Sequence, residues 1–225
     1  MALHLYNRNN PRIRGVLFDM DGLVLDTEKL YTRFWMEALQ FYGFPMTHEQ
    51  ALKMRSANTQ LSTEILQNFF GPTVDYEKCR AKRIELMDAF IEKHGVEPKP
   101  GIYELLDALD ARGIPAAITS SSPVDRIEQH LGSLNLLHRF QKICSGYDVP
   151  WGKPAPDIYL HGAAALGLPP ENCLALEDSP TGILSAYRAG CMAVMVPDLD
   201  QPDEETKKLL HAKADSLMDV IGLLG

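Results

Sequence analysis

The segment Val16-Leu17-Phe18-Asp19-Met20-Asp21-Gly22 joins a short apolar run to two carboxylates and a glycine. A short apolar run bounded by a turn signal is typical of a β-strand that is buried on both faces. We therefore predict a strand over Ile13–Phe18, with Asp19 and Asp21 at its carboxyl end. In open parallel sheets, ligands bind at that end of the strands.

The rest of the chain has two kinds of pattern. Over residues 27–96 the apolar residues recur at helical spacing, and no strong strand pattern is present. After a Pro- and Gly-containing hinge at 97–101, helices alternate with strands predicted at 115–119, 142–145, 173–176, 192–196 and 214–216. This order predicts an α/β fold: a three-layer, Rossmann-like parallel sheet core of residues 1–26 and 97–225. Residues 27–96 then form a small α-helical domain inserted after the first strand.

Composition narrows the classes of partner. The chain has 225 residues, with 22 Lys and Arg against 30 Asp and Glu, for a net charge of −8. That balance argues against a nucleic-acid partner, which would need a basic face. No apolar run reaches the length of a membrane span, and residues 1–14 lack the apolar run of a signal peptide. No C-x-x-C pair is present among the four cysteines, and three of them lie in or beside apolar segments, so we expect a cytoplasmic protein. We also expect a small-molecule partner, and a monomer by default.

The ends of the later predicted strands also carry polar residues. Thr119–Ser122 follow the second strand, Lys153 lies in the loop after the third, and Glu177-Asp178 follow the fourth. Ser122 also fits the N-cap of the next helix, which we expect to begin at Pro123. Two acidic pairs at one sheet edge indicate a hard cation with oxygen ligands, and Mg²⁺ is favoured when phosphate supplies further oxygens.

This set of residues is suited to phosphoryl transfer. A carboxylate such as Asp19 can attack phosphorus and form an aspartyl-phosphate. Asp21, two residues on, can protonate the leaving oxygen and later deprotonate the attacking water. Ser120 and Ser121 offer hydroxyl and N–H donors, and Lys153 offers a positive charge that is restrained by the adjacent proline. The alternatives are a helix-capping loop for the serines and a surface lysine for Lys153.

Four motifs in this order resemble the haloacid dehalogenase superfamily, and the helical insert lies where that family carries its small α-helical cap domain. The motifs are Phe18-Asp19-Met20-Asp21-Gly22, Ile118-Thr119-Ser120-Ser121, Gly152-Lys153-Pro154 and Leu176-Glu177-Asp178-Ser179. The resemblance implies that Asp19 is the nucleophile and a Mg²⁺ ligand. It implies that Asp21 is the general acid/base and gives its backbone carbonyl to the metal, and that Lys153 neutralises the phosphoryl group.

The resemblance also implies the remaining binding groups. Ser121 and either Ser120 or Thr119 would hold the phosphoryl oxygens. Asp178 would bind Mg²⁺, with Glu177 as a ligand directly or through water. In the cap, the resemblance places Thr27 and Arg55 as substrate-binding residues, although a solvated arginine at a helix end is an equal alternative for Arg55.

Within the superfamily, the chain resembles the β-phosphoglucomutase-like branch, and most of all the pseudouridine-5′-phosphatase-type enzymes. Members that act as dehalogenases lack an acid at the position of Asp21, so its presence favours phosphoryl chemistry. The mutases carry a histidine on the first cap helix, where this chain has Tyr31. The expected activity is hydrolysis of a small phosphomonoester, a sugar phosphate or a nucleotide-like phosphate, through an aspartyl-phosphate intermediate. The alternatives are a phosphosugar mutase and a non-catalytic binding protein, although the latter would not need Asp21.

Overall fold

The computed structural model describes residues 3–6, 12–54, 59–198 and 201–225. The strands among these residues form a single seven-stranded sheet. The strands are β1 (Leu3–Leu5), β2 (Gly15–Phe18), β3 (Ala116–Ser120), β4 (Lys142–Ser145), β5 (Cys173–Glu177), β6 (Met192–Met195) and β7 (Ala212–Ala214). Their order across the sheet is β1-β7-β6-β5-β2-β3-β4. All neighbouring strands are parallel except β1, which pairs antiparallel with β7. The prediction of an α/β fold with a mostly parallel sheet is confirmed.

Sequence patterns missed one strand and shifted another. β1 contributes the short segment Leu-His-Leu at the sheet edge, and its residues are exposed or only partly buried. Three residues with one polar member carry too little periodicity to indicate a strand. The last strand was expected at 214–216 but lies at Ala212–Ala214, where the chain pairs with β6 on one side and with β1 on the other.

Ten α-helices are present in the described part of the chain. They are α1 (Glu28–Phe41), α2 (His48–Leu52), α3 (Thr59–Phe70), α4 (Tyr76–His94), α5 (Ile102–Asp110), α6 (Val124–Ser133), α7 (Asp157–Ala165), α8 (Pro180–Arg188), α9 (Glu204–Lys207) and α10 (Leu217–Val220). Contacts between residues divide the chain into two compact units, one of residues 27–96 and one of the rest. None of the described helices is both long enough and apolar enough to cross a membrane.

The sheet unit has its core on the central strands. Every residue of β2 is fully buried, as expected for a parallel strand covered on both faces. Helices α7 and α8 pack against strands β2 to β6. Their buried faces, which include Ile158, Tyr159 and Ile183, join alternate strand residues such as Leu17 and Ala175 in one apolar cluster. This packing fixes the positions of the strand ends.

The helical unit, called the insert below, has a separate core. Helix α1 packs against α2 and α4, and α3 packs against α4. Trp35 of α1 and Tyr76 of α4 stack with their ring centroids 5.8 Å apart. Leu39 and Leu66 are fully buried in the same apolar cluster. The insert therefore holds its own hydrophobic core.

The two chain segments of the sheet unit, which precede and follow the insert in sequence, contact each other near residues 26 and 97. The Asp26 N–H donates to the Glu97 carbonyl at 2.8 Å, and the Lys99 N–H donates to the Val24 carbonyl at 2.8 Å. The Lys99 ammonium also pairs with Asp26 at 3.2 Å and with Asp198 at 2.7 Å. These contacts tie the point where the chain leaves the sheet unit to the point where it returns.

Candidate active site

Asp19 lies immediately after β2, at the carboxyl end of the central strands, and only 8% of it is exposed. Its backbone N–H donates to the Leu176 carbonyl at 3.0 Å, which holds the residue against the end of β5. The parallel register of β2 and β5 pairs Phe18 with Leu176, so the residues that follow both strands are neighbours. The structure thus brings the two acidic pairs of the sequence to one place.

Lys153 connects these strand ends. Its ammonium Nζ lies 2.5 Å from Asp19 Oδ1, 2.6 Å from Glu177 Oε1 and 3.1 Å from the Thr119 carbonyl oxygen. The side chain is 10% exposed. Although burial by itself lowers the pKa of Lys153, the charges of Asp19 and Glu177 outweigh it and raise the pKa above its ordinary value. Lys153 is therefore a fixed cation and not a surface lysine.

Glu177 is held by three side chains. Its Oε1 accepts hydrogen bonds from Lys153 and from the Tyr159 hydroxyl at 2.6 Å, and its Oε2 accepts one from Ser179 Oγ at 3.2 Å. Tyr159 is fully buried on α7, and burial together with the charges of Glu177 and Asp19 raises its pKa. The phenol therefore stays protonated and donates. Sequence reasoning did not identify Tyr159 or Ser179.

Three carboxylates form a cluster that fits a hard cation. Asp19, Glu177 and Asp178 are all buried, and each offers an oxygen within 4.8 Å of the others. Burial raises the pKa of Asp19 and Lys153 lowers it; with the neighbouring acids Glu177 and Asp21 also raising it, the pKa reaches about 7. A single lysine does not balance so many buried acids, and such a site favours a bound cation or a proton. Oxygen donors of this kind suit Mg²⁺.

The segment after β3 supplies the hydroxyls. Thr119 and Ser120 are buried, and the Thr119 hydroxyl donates to the Phe18 carbonyl at 3.1 Å. Ser120 Oγ accepts a hydrogen bond from the Ser122 N–H at 3.1 Å. Ser121 is exposed, so its hydroxyl and N–H are not buried in the core. These residues follow a strand that pairs directly with β2.

Ser122 does not cap a helix, which corrects the expectation from its sequence. The N-cap of α6 is Pro123, and the helix begins at Val124. The Ser122 hydroxyl instead donates to Asp21 Oδ2 at 3.2 Å. Pro123 has extended backbone angles, as the residue before the first helical turn does. The serine is thereby free to contact the proposed acid/base.

Two residues of the insert were predicted to bind substrate, and the structure describes only one of them. Thr27 is fully buried and forms the N-cap of α1 without a side-chain cap hydrogen bond. The prediction for Arg55 lies outside the described residues. The Arg55 assignment and the substrate contact of Thr27 therefore stay predictions.

Comparison with known proteins identifies the family of this chain. A model of the haloacid dehalogenase-like hydrolase family matches residues 16–196. This chain belongs to that family. It is 34% identical over 229 residues to a Drosophila melanogaster protein named "Probable pseudouridine-5'-phosphatase", covering 96% of this chain and 97% of that relative. It is 33% identical to the fructose-1-phosphate phosphatase YqaB of Escherichia coli K12, covering 82% and 97%.

A solved structure has the same fold. The crystal structure of CbbY from Rhodobacter sphaeroides in complex with phosphate superposes with a TM-score of 0.75, at 24% identity. The alignment covers 92% of this chain and 96% of that one. At this identity the likeness shows the shared fold, a mostly parallel sheet flanked by helices together with a helical domain.

Proposed function

We propose that this chain is a phosphatase that hydrolyses small phosphomonoesters, with Asp19 as the nucleophile and Mg²⁺ as its cofactor. The observation that carries the proposal is the position of the Lys153 ammonium between Asp19 and Glu177, within the buried acid cluster. A lysine there offsets negative charge where a phosphoryl group would approach the nucleophile.

The chemistry follows in two steps from the chain's own residues. A carboxylate oxygen of Asp19 attacks phosphorus, and the bond from phosphorus to the ester oxygen breaks as Asp21 gives that oxygen a proton. Asp21 then takes a proton from water, which attacks the aspartyl-phosphate and releases inorganic phosphate. The Ser122 hydroxyl, which donates to Asp21 Oδ2, orients that carboxyl group for both transfers.

Mg²⁺, when bound, would add positive charge at the phosphoryl oxygens. We assign Asp19, Asp178 and the backbone carbonyl of Asp21 as its ligands. Glu177 already accepts hydrogen bonds from Lys153, Tyr159 and Ser179, and these favour an indirect role through water. We also assign Ser120 with Ser121 to the phosphoryl oxygens, because the Thr119 hydroxyl donates its proton to the Phe18 carbonyl.

The names of the relatives support a sugar phosphate or a nucleotide-like phosphate as the substrate. We propose that the insert acts as the cap domain that selects the leaving group, as the resemblance to the family implies. Tyr31 stands where the mutases have histidine, which supports hydrolysis over mutase activity. The free, buried state of all four cysteines supports a reducing compartment such as the cytoplasm. A monomer remains the default, to be checked by size-exclusion chromatography.

A phosphate-release screen tests the proposal. Pure protein with Mg²⁺ is given a panel of sugar phosphates, nucleoside monophosphates and pseudouridine 5′-phosphate. We expect phosphate release from at least one member, and a loss of about 10³-fold or more in Asp19→Asn with its circular dichroism spectrum unchanged. Release by Asp19→Asn at the wild-type rate contradicts the assignment. Interconversion of hexose 1- and 6-phosphates without phosphate release would identify a mutase instead.

A further inference from the structure

Lys153 reaches the acid cluster from a loop that has little backbone hydrogen bonding of its own. We call residues 151–155 the Lys153 loop, which lies between β4 and α7. In this described segment, one hydrogen bond joins backbone to backbone, from the Ala155 N–H to the Gly152 carbonyl at 3.0 Å. Trp151 is 71% exposed, and Gly152 is exposed as well. Exposed segments with few such bonds are the more mobile parts of a protein, so a fixed lysine here needs support from elsewhere.

Helix α8 supplies that support through two side chains. Ser185 Oγ donates to the Ala155 carbonyl at 2.5 Å, and Arg188 Nη1 donates to the Pro154 carbonyl at 3.0 Å. These two carbonyls belong to the residues that follow Lys153 directly in sequence. Residues three apart lie on the same side of a helix. One side of α8 therefore holds the Lys153 loop at two successive peptide groups.

Ser185 lies inside α8 and is fully buried. Serine is less favourable than alanine within a helix, in part because its hydroxyl competes for nearby backbone groups. The Ser185 hydroxyl donates instead to a carbonyl that lies 30 residues earlier in the chain. Arg188 is the last residue of the same helix, and its guanidinium makes the second contact from the exposed side. Helix formation does not call for a serine at position 185, whereas the contact with the Lys153 loop does.

The same helix also contacts the acid with which Lys153 pairs. Ser179 is the N-cap of α8, where its Oγ accepts a hydrogen bond from the Gly182 N–H. Ser179 Oγ lies 3.2 Å from Glu177 Oε2, to which it donates. Helix α8 thus supports Glu177 from its first turn and the Lys153 loop from its last turns. Both members of the ion pair between Lys153 and Glu177 are therefore held by one helix.

We propose that Ser185 and Arg188 are positioning residues, which hold the Lys153 loop on α8 and thereby keep the Lys153 ammonium between Asp19 and Glu177. They act through Lys153 and not on the substrate. Lys153 Nζ lies 2.5 Å from Asp19 Oδ1 and 2.6 Å from Glu177 Oε1. A displacement of about 1 Å would take both contacts beyond the usual hydrogen-bond distance. The catalytic consequence rests on the phosphatase activity proposed above, whereas the effect on the loop does not.

Backbone ¹⁵N relaxation measures the effect on the loop in the whole protein without turnover. We expect order parameters of about 0.85 for the amides of the Lys153 loop in wild type, and below about 0.6 in the double variant Ser185→Ala/Arg188→Ala. Alanine suits both helix positions, so the fold is expected to persist, which circular dichroism checks. The matched control is Ser133→Ala, which removes a serine-to-carbonyl hydrogen bond of 2.8 Å in α6 and should leave the loop as it is in wild type.

Steady-state kinetics measure the consequence for the reaction. We expect kcat to fall by about 10-fold in Ser185→Ala and by about 100-fold in the double variant, with KM nearly unchanged, because Lys153 offsets charge that develops in the transition state. A purely structural role would lower the resistance to urea without a selective loss of kcat. Arg188→Lys keeps a cationic donor and is expected to retain more activity than Arg188→Ala.

The two measurements separate this proposal from the proposed function. Order parameters that stay at their wild-type values in the double variant overturn the positioning role, whatever the activity. A loop that becomes mobile while kcat stays at the wild-type value overturns it as well, because the position of Lys153 would then not matter. A wild-type protein that releases no phosphate from any ester contradicts the phosphatase activity, and the order parameters then decide by themselves whether the two residues hold the loop.

Discussion

The Glu177 carboxyl group lies against the Cα of Gly182, in the space that a side chain at residue 182 would occupy. A Cβ atom built on Gly182 would lie 1.9 Å from the Glu177 Cδ and 1.9 Å from Oε1. Gly182 is in the first turn of α8, where its N–H donates to Ser179 Oγ at 3.1 Å. The absence of a side chain at this glycine is therefore what allows Glu177 to reach Lys153 and Tyr159.

Gly182→Ala is expected to reduce kcat by about 10-fold or more, since the methyl group displaces Glu177 and with it the Lys153 ammonium. Helix propensity by itself would favour alanine over glycine by about 1 kcal/mol. The matched control is Gly132→Ala in α6, where a Cβ meets no atom within 4 Å. Steady-state kinetics on both variants measure the effect, and equal activity in both would mean that the position of Glu177 does not matter.

Tyr159→Phe is expected to lower kcat by about 10-fold and to lower the free energy of unfolding by about 1 kcal/mol, because Glu177 Oε1 loses one of its two donors. The control is Tyr187→Phe on α8, because Tyr187 is 51% exposed. Kinetics and urea denaturation are compared for the two variants. A kcat unchanged in Tyr159→Phe would limit this phenol to a packing role.

Chelation is expected to stop phosphate release, and added Mg²⁺ to restore it. The physical reason is the mutual repulsion of three neighbouring buried carboxylates, which a divalent cation relieves. The assay compares protein dialysed against EDTA with the same protein after Mg²⁺ or Ca²⁺ is returned. Full activity after thorough chelation would show that the reaction does not need a metal ion.

His211 is expected to make stability depend on pH. It is 6% exposed, and burial lowers its pKa from the ordinary value of 6.5. The folded state thus binds the proton less readily than the unfolded state. The stabilisation is complete above about pH 6.5 and is lost as the pH falls through that value towards the lower folded pKa.

Urea denaturation at about pH 8 and about pH 5 measures this dependence. We expect His211→Asn to lose less stability than wild type between these two conditions. The exposed residue His138 provides the control, and His138→Asn should retain the wild-type slope. Parallel curves for wild type and His211→Asn would show that other groups set the acid sensitivity.

Local sequence patterns predicted every strand of the described sheet except β1, with the last strand shifted by two residues. Asp19 directly follows β2, Glu177 ends β5, and Lys153 lies in the loop after β4. The parallel order of the strands brings the three side chains together. The role of Tyr159 was not predicted because this residue lies within a helix, where a tyrosine commonly serves only for packing. Its position on the buried face of α7 was the available signal, since a buried phenol needs a hydrogen-bond partner.

The role of Ser122 was predicted wrongly because either residue of the Ser122-Pro123 pair can stand at the N-cap of the following helix. A serine before a proline suits an N-cap, yet here Pro123 is the cap and the serine hydroxyl donates to Asp21. That choice depends on Asp21, which lies 101 residues away in sequence and which no local pattern contains. The need for a glycine at position 182 was also not predictable from local sequence, because it arises from the space that the Glu177 side chain occupies.

If Asp19 is the nucleophile, it forms a covalent aspartyl-phosphate during turnover. The most direct measurement is acid quenching of wild-type enzyme after mixing with a ³²P-labelled substrate and Mg²⁺, followed by peptide mapping. We expect a label that is stable in acid, labile in alkali and located on the peptide that contains Asp19, and no label in Asp19→Asn. Rapid phosphate release without any labelled protein, or a label on another residue, would contradict this role of Asp19.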